Sequence, residues 1–172
     1  MRQKDLFKFN FLGFMTMKKL AILAVLAIVV CATALAGTMS RAQQVQQPAV
    51  QASTSMSDID KALANGPVFI EFEMVGCHYC AQQHPISAQL QSDYAGKVTF
   101  FFLDANENRD LASTFQVTGV PQMDIIVSKS GNTYTYMGPN GKSDSISSSR
   151  FLGLTQRDDL KTALDAALQA RT

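Results

Sequence analysis

Two cysteines three residues apart, Cys77 and Cys80, enclose His78 and Tyr79 in the order Cys-His-Tyr-Cys. The reactive form of cysteine is the thiolate, and it is favoured where free backbone N–H groups and the positive end of a helix dipole face it. If a helix begins at Cys77, that thiol has such a position. Cys80 then lies one turn further in, more buried, and close enough to attack a mixed disulfide formed on Cys77. A disulfide across so short a loop is a weak brace, because closing a short loop saves little chain entropy. The pair is therefore better suited to exchange chemistry than to structural stapling.

Several titratable residues flank the pair. A protonated His78 would stabilise the Cys77 thiolate and raise the oxidising power of the couple, and the alternative is an exposed spectator imidazole. Glu71 and Glu73 precede the cysteines at a spacing of two, which in a strand puts them on one face. The rival chemistry is metal binding. Cys77, His78, Cys80 and His84 form a run of soft and imidazole donors of the kind that holds copper(I) or zinc. A closed zinc site is disfavoured, because adjacent Cys77 and His78 do not readily converge on one tetrahedral centre. His84 reads instead as a surface residue. Covalent haem attachment is excluded, since Ala81 stands where that motif needs histidine. The primary reading therefore has no metal and no cofactor.

The elements that must position these residues follow from pattern. Ser57 is a candidate cap for a helix over 58–64, stopped by Asn65-Gly66-Pro67. Val68–Met74 is β-branched and aromatic, hence a strand, and Gly76 breaks it. Residues 77–92 read as a helix with Pro85 as an internal kink. Val98–Leu103 is continuously apolar, as expected of a central strand covered on both faces. A short helix follows over 109–115, then strands over 122–128 and 133–137 joined by a Lys-Ser-Gly-Asn turn. Residues 138–150 are Ser-rich and read as a loop. Thr155 is the expected cap of the last helix, whose apolar stripe is Leu160, Leu164, Ala167 and Leu168. The order α-β-α-β-α-β-β-α describes an α/β layered domain over residues 58–172.

Charge and composition divide the chain. Of 172 residues, 47% are hydrophobic and 17% charged, which excludes a wholly disordered chain. Residues 1–36 carry five Lys or Arg and one Asp, net +4, whereas residues 37–172 sum to −3. With no general basic excess, nucleic acid is not an expected partner. Lys18-Lys19 precede the apolar run Leu20–Ala36, which ends in Ala34-Leu35-Ala36, the form of a secretory signal peptide with its cleavage site. Residues 1–36 are therefore expected to be a signal, with Met17 as an alternative start. An uncleaved inner-membrane anchor is the rival, the apolar run being at the short limit for a span. Cleavage would remove Cys31 and leave one pair of cysteines in an oxidising compartment. Residues 37–57 are Gln-, Ser- and Ala-rich and read as a flexible leader.

With these residues in place, the chain resembles the thioredoxin family across most of residues 58–170. The resemblance rests on Pro67-Val68-Phe69-Ile70-Glu71-Phe72, on Cys77-His78-Tyr79-Cys80, on Pro85, and on Val117-Thr118-Gly119-Val120-Pro121. It implies a thioredoxin-like α/β fold, a central mixed β-sheet flanked by helices, and thiol–disulfide oxidoreductase activity. It further implies that Val120 and Pro121 form the cis-proline loop that faces the disulfide and holds a client as an extended strand. Glu71 falls where the family places a buried acid that takes the proton of the resolving thiol. The departures are Gly76 in place of the family's Trp, His78-Tyr79 in place of Gly-Pro, and Phe102 where a lysine accompanies the buried acid. A Tyr before the second cysteine is similar to glutaredoxins and periplasmic disulfide isomerases. The expectation is a monomeric, periplasmic or otherwise extracytoplasmic enzyme acting on client proteins with a membrane-bound redox partner, a reductase ahead of an oxidase. The leader is too short to be an isomerase's dimerisation domain. The alternative is a metallochaperone-like protein binding copper or zinc through Cys77, Cys80 and a histidine.

Overall fold

A computed structural model describes residues 53–171, all within the second of the two units into which the chain divides, Gln47–Thr172. The expected signal segment and most of the expected leader lie outside the described residues. Among the described residues, no helix is long and apolar enough to cross a membrane.

The first helix, α1 (Met56–Leu63), starts two residues earlier than its sequence signal suggests. Ser55 rather than Ser57 caps it: the Ser55 hydroxyl accepts the Asp58 N–H at 3.3 Å, and the Asp58 carboxylate accepts the Ser55 N–H at 3.1 Å. Asp60, which would close the same box on Ser57, is instead bound by Lys129 Nζ and the Tyr134 hydroxyl, both at 2.7 Å. A tertiary contact thus selects between two local caps.

The remaining elements are β1 (Val68–Glu73), α2 (His78–Asp93), β2 (Thr99–Asp104), α3 (Arg109–Thr114), β3 (Gln122–Ser130), β4 (Thr133–Gly138), β5 (Gly141–Ser143), α4 (Ile146–Ser149), β6 (Phe151–Leu152) and α5 (Arg157–Gln169). The strands form one mixed sheet in the order β2-β1-β3-β4-β5, with β6 paired to β3. β1 runs parallel to β2, with Glu71 opposite Phe102, and antiparallel to β3, with Glu71 opposite Met123. β2 is buried on both faces as expected, but among the described residues it ends the sheet rather than lying at its centre. Its apolar run reports layers above and below, which sheet position does not alter.

Alternation along β1 divides the core. Phe69 packs with Leu90 of α2, Leu160 and Leu164 of α5, and Phe100 and Phe102 of β2. Val68, Ile70 and Phe72 face the other way, against Ile59 and Leu63 of α1 and Leu111 and Phe115 in and next to α3. Each layer is built from apolar side chains recurring at strand and helix periods.

Residues 138–150, expected as a loop, hold the short strand β5 and one helical turn, α4. Polar composition hid them, because β5 gains its pairing from β4 and α4 packs on the strand end. A Cβ on Gly138 would stand 2.4 Å from the Ser149 Cα, so only glycine permits this approach. α2 runs from His78 to Asp93 with Pro85 inside it. Thr155 does not cap α5. Gln156 holds that position without a side-chain bond, while Thr155 donates its hydroxyl to the Gly153 carbonyl (3.2 Å) and its N–H to Gln83 Oε1 (2.8 Å).

Candidate functional site

The end of β1 turns sharply into α2. Gly76 makes the turn with φ of +81°, a conformation that suits glycine, and Cys77 becomes the N-cap of α2. Cys77 and Cys80 are disulfide-bonded with Cα atoms 5.2 Å apart. The Cys80 backbone N–H donates to Cys77 Sγ at 3.1 Å. This satisfies an otherwise free donor of the first helical turn and, in the reduced protein, would stabilise negative charge on that sulfur. Cys77 is partly exposed, whereas Cys80 is 3% exposed. One sulfur is open to a partner and the other is shielded, the asymmetry expected of an attacking and a resolving thiol.

The Val117–Pro121 segment closes over the disulfide from the other side. Cys77 Sγ lies 3.7 Å from the Val120 carbonyl oxygen, and the Val120–Pro121 peptide bond is cis. Val120 is half-buried and Pro121 buried. The Pro121 carbonyl accepts the Gly153 N–H at 2.8 Å, which ties the segment after β6 to this loop. Exposed apolar side chains come from both sides: Val75 and Tyr79 from the β1–α2 turn, Leu152 and Leu154 from the β6 region. His78 is exposed, its Nε2 2.7 Å from Gln82 Nε2 and its ring edge-on to Tyr79 at 5.6 Å.

Beneath the cysteines the strand alternation places two carboxylates on the face covered by α2. Glu71 is fully buried, and neither of its oxygens has a hydrogen-bond partner. Burial pushes its carboxyl up to about 8, opposed by the nearby Ser87 hydroxyl and reinforced by the charge of Glu73. Ser87 does not meet it in hydrogen-bonding geometry and is engaged by Gln83 Nε2 at 3.3 Å. Glu73 and His84 are each 8% exposed, and His84 Nδ1 lies 3.0 Å from Glu73 Oε2. His84 is therefore not the surface residue expected at its position before Pro85. It lies one turn beyond Cys80 on the inner face of α2, with its ring 4.8 Å from Phe102.

Both histidines named in the copper or zinc alternative have other partners in this oxidised form. His84 is held by Glu73, and His78 turns outward to Gln82. Among the described residues the one cluster of three potential ligands is Glu71, Glu73 and His84, with no cysteine in it.

A further buried acid, unmarked by any local pattern, lies on the opposite face of the sheet. Asp124 follows Gln122 by two residues in β3 and accepts its Nε2–H at 2.9 Å, while its other oxygen is unpartnered. Burial raises its carboxyl to about 7, with Gln122 and Arg150 opposing. An acid whose pKa is higher folded than unfolded favours the native state at low pH. That contribution is complete below about 3.8 and is lost as pH rises to about 7. Asp124→Asn is expected to flatten the fall in stability across this window, read from denaturant midpoints at several pH values. An unchanged pH slope would show that Asp124 is not the source.

The chain is similar to known proteins. A family model described as Thioredoxin matches residues 49–149. Thioredoxin M4 of Arabidopsis thaliana chloroplasts is 30% identical over 102 residues, 59% of this chain, and the chain spans 45% of that relative's length. A thioredoxin of Staphylococcus epidermidis is 32% identical over 75 residues, which are 44% of this chain and 70% of that protein. Among solved structures, Trichomonas vaginalis thioredoxin superposes with a TM-score of 0.52 at 19% identity, covering 70% of this chain and 97% of its own. A mutant thioredoxin of Halobacterium salinarum gives 0.50 at 22% identity, covering 69% and 88%. These structural likenesses establish the fold.

Proposed function

The chain belongs to the thioredoxin family of thiol–disulfide oxidoreductases, and from that premise we propose that it exchanges its Cys77–Cys80 disulfide with client proteins outside the cytoplasm, acting as a monomer. The observation that carries the reading is the partly exposed Cys77 at the N-cap of α2, with its sulfur facing the Val120 carbonyl beside cis-Pro121.

In the reducing direction, the Cys77 thiolate attacks a client disulfide, forming a mixed disulfide and releasing one client thiolate. Cys80, once deprotonated, attacks Cys77 Sγ, which releases the second client thiol and restores the intramolecular bond. Two electrons pass to the client, and a donor must return them to the Cys77–Cys80 pair. In an exported enzyme that donor is a membrane-bound dithiol partner. Glu71, buried on the face of β1 that α2 covers, takes the resolving thiol's proton. Val120 and Pro121 present the chain edge against which the client backbone lies, and the exposed Val75, Tyr79 and Leu152 supply apolar contact for it. His78 and Tyr79 tune the potential from the rim. The basic start and apolar run of residues 18–36 support export.

Potentials of such couples run from about −270 to about −120 mV, roughly 7 kcal/mol, so the measured potential of this pair separates reductase from oxidase. A value near the lower end is expected. In the same preparation, Cys80→Ala should accumulate mixed disulfides through Cys77, seen as thiol-sensitive adducts on non-reducing gels. Failure to trap any adduct would refute the exchange mechanism.

A further inference from the structure

We propose that Glu71, Glu73 and His84 form a binding site for a divalent first-row transition ion of the zinc class, beneath the disulfide and separate from its sulfurs. Each residue offers one donor atom, and the three atoms lie within 4.8 Å of one another. Strand alternation delivers the two carboxylates to one face of β1, and α2 lays His84 over them, so two elements fix the donors independently. The cluster is more than a buried ion pair. His84 and Glu73 satisfy each other, but Glu71 is fully buried with both oxygens unpartnered. A buried carboxyl group with no hydrogen bond is costly in either protonation state, and coordination to a cation, with loss of the proton, is one way to offset that cost.

The donor chemistry sets the class. Two carboxylates and one imidazole suit zinc, manganese or cobalt(II), whereas copper(I) prefers the soft sulfur ligands that this cluster lacks. Two carboxylates also match the charge of a divalent ion, which would replace the hydrogen bond between His84 Nδ1 and Glu73. Three protein ligands leave a fourth position for solvent, the open pattern of a non-structural site. The slight exposure of Glu73 and His84 gives an entry path, while the Phe102 ring against His84 limits how far the imidazole can turn.

The test uses the oxidised, disulfide-bonded protein, in which neither cysteine is available as a thiolate ligand and no exchange activity is read. Calorimetric titration with zinc chloride should show one equivalent bound. Cobalt(II) should give visible d–d bands without the sulfur charge-transfer bands of thiolate ligation. Glu71→Gln, Glu73→Gln and His84→Gln should each weaken zinc binding at least roughly tenfold, since outer-shell partners alone carry effects of that size. His78→Ala should leave it intact. Wild-type protein that binds no zinc, binding that survives all three substitutions, or binding lost with His78→Ala would overturn the proposal. The wild-type titration decides even if a variant does not fold, and far-UV circular dichroism identifies such a variant.

Discussion

Cys77→Ser is expected to reduce disulfide exchange to the uncatalysed background, while Cys80→Ser keeps the first attack and loses turnover. The two sulfurs differ in access and in charge stabilisation. Cys77 is partly open to a client, and the Cys80 N–H points at its sulfur from 3.1 Å at the start of a sixteen-residue helix. A hydroxyl in that place is not appreciably ionised near neutral pH, so the same backbone donor has no anion to stabilise. Cys80 is only 3% exposed, so a client sulfur has little access to it. Turnover of a small disulfide reporter with excess dithiol checks both variants. Retained exchange in Cys77→Ser would make Cys80 the attacking thiol and reverse the assignment.

Phe72→Ala should cost about 3–5 kcal/mol of stability, the usual range for deleting a fully buried aromatic side chain. For a domain of this size that lowers the melting temperature by roughly 10–20 °C. Phe72 is wholly buried in β1, with its ring 5.6 Å from Phe115 and the aliphatic layer of α1 beside it. Removing it leaves a cavity between sheet and helix that neither neighbouring strand can close, because β1 is paired on both sides. Phe72→Leu should recover most of the loss. A change below about 1 kcal/mol for the alanine variant, the scale of an ordinary surface substitution, would show that this layer is not the core described. The variant also separates stability from chemistry, since Phe72 points away from the face that carries Glu71.

Much of the site was legible because its determinants are local. Cys77 and Cys80 fall at a strand-to-helix junction marked by β-branched residues, a glycine and a capping position, all in one short stretch of chain. Glu71 and Glu73 share a face because strand period is two, whatever the strand packs against. Residues whose state depends on a distant partner were not legible. His84 stands before Pro85 and reads as exposed, yet β1 and Phe102 bury it. Asp124 stands in an apolar strand with no sign that Gln122 would receive it. Asp60 forms a plausible capping box with Ser57 until Lys129 and Tyr134, some seventy residues later, claim its carboxylate.

The same division runs through the whole domain. The order of the longer elements from α1 to β4 and then α5, the thiol pair at the head of a helix and the two faces of each strand were written in the chain, whereas β5, α4 and β6 were not. Backbone period, capping and turn chemistry act over a few residues and need no tertiary partner to be read. Folding was required to bring Cys77 against Val120 and cis-Pro121, to set β2 at the end of the sheet, and to seal Glu71 without a partner beside Glu73 and His84. Burial and hydrogen bonding are properties of what packs against a residue. Here those neighbours come from strands, helices and loops far apart in the chain.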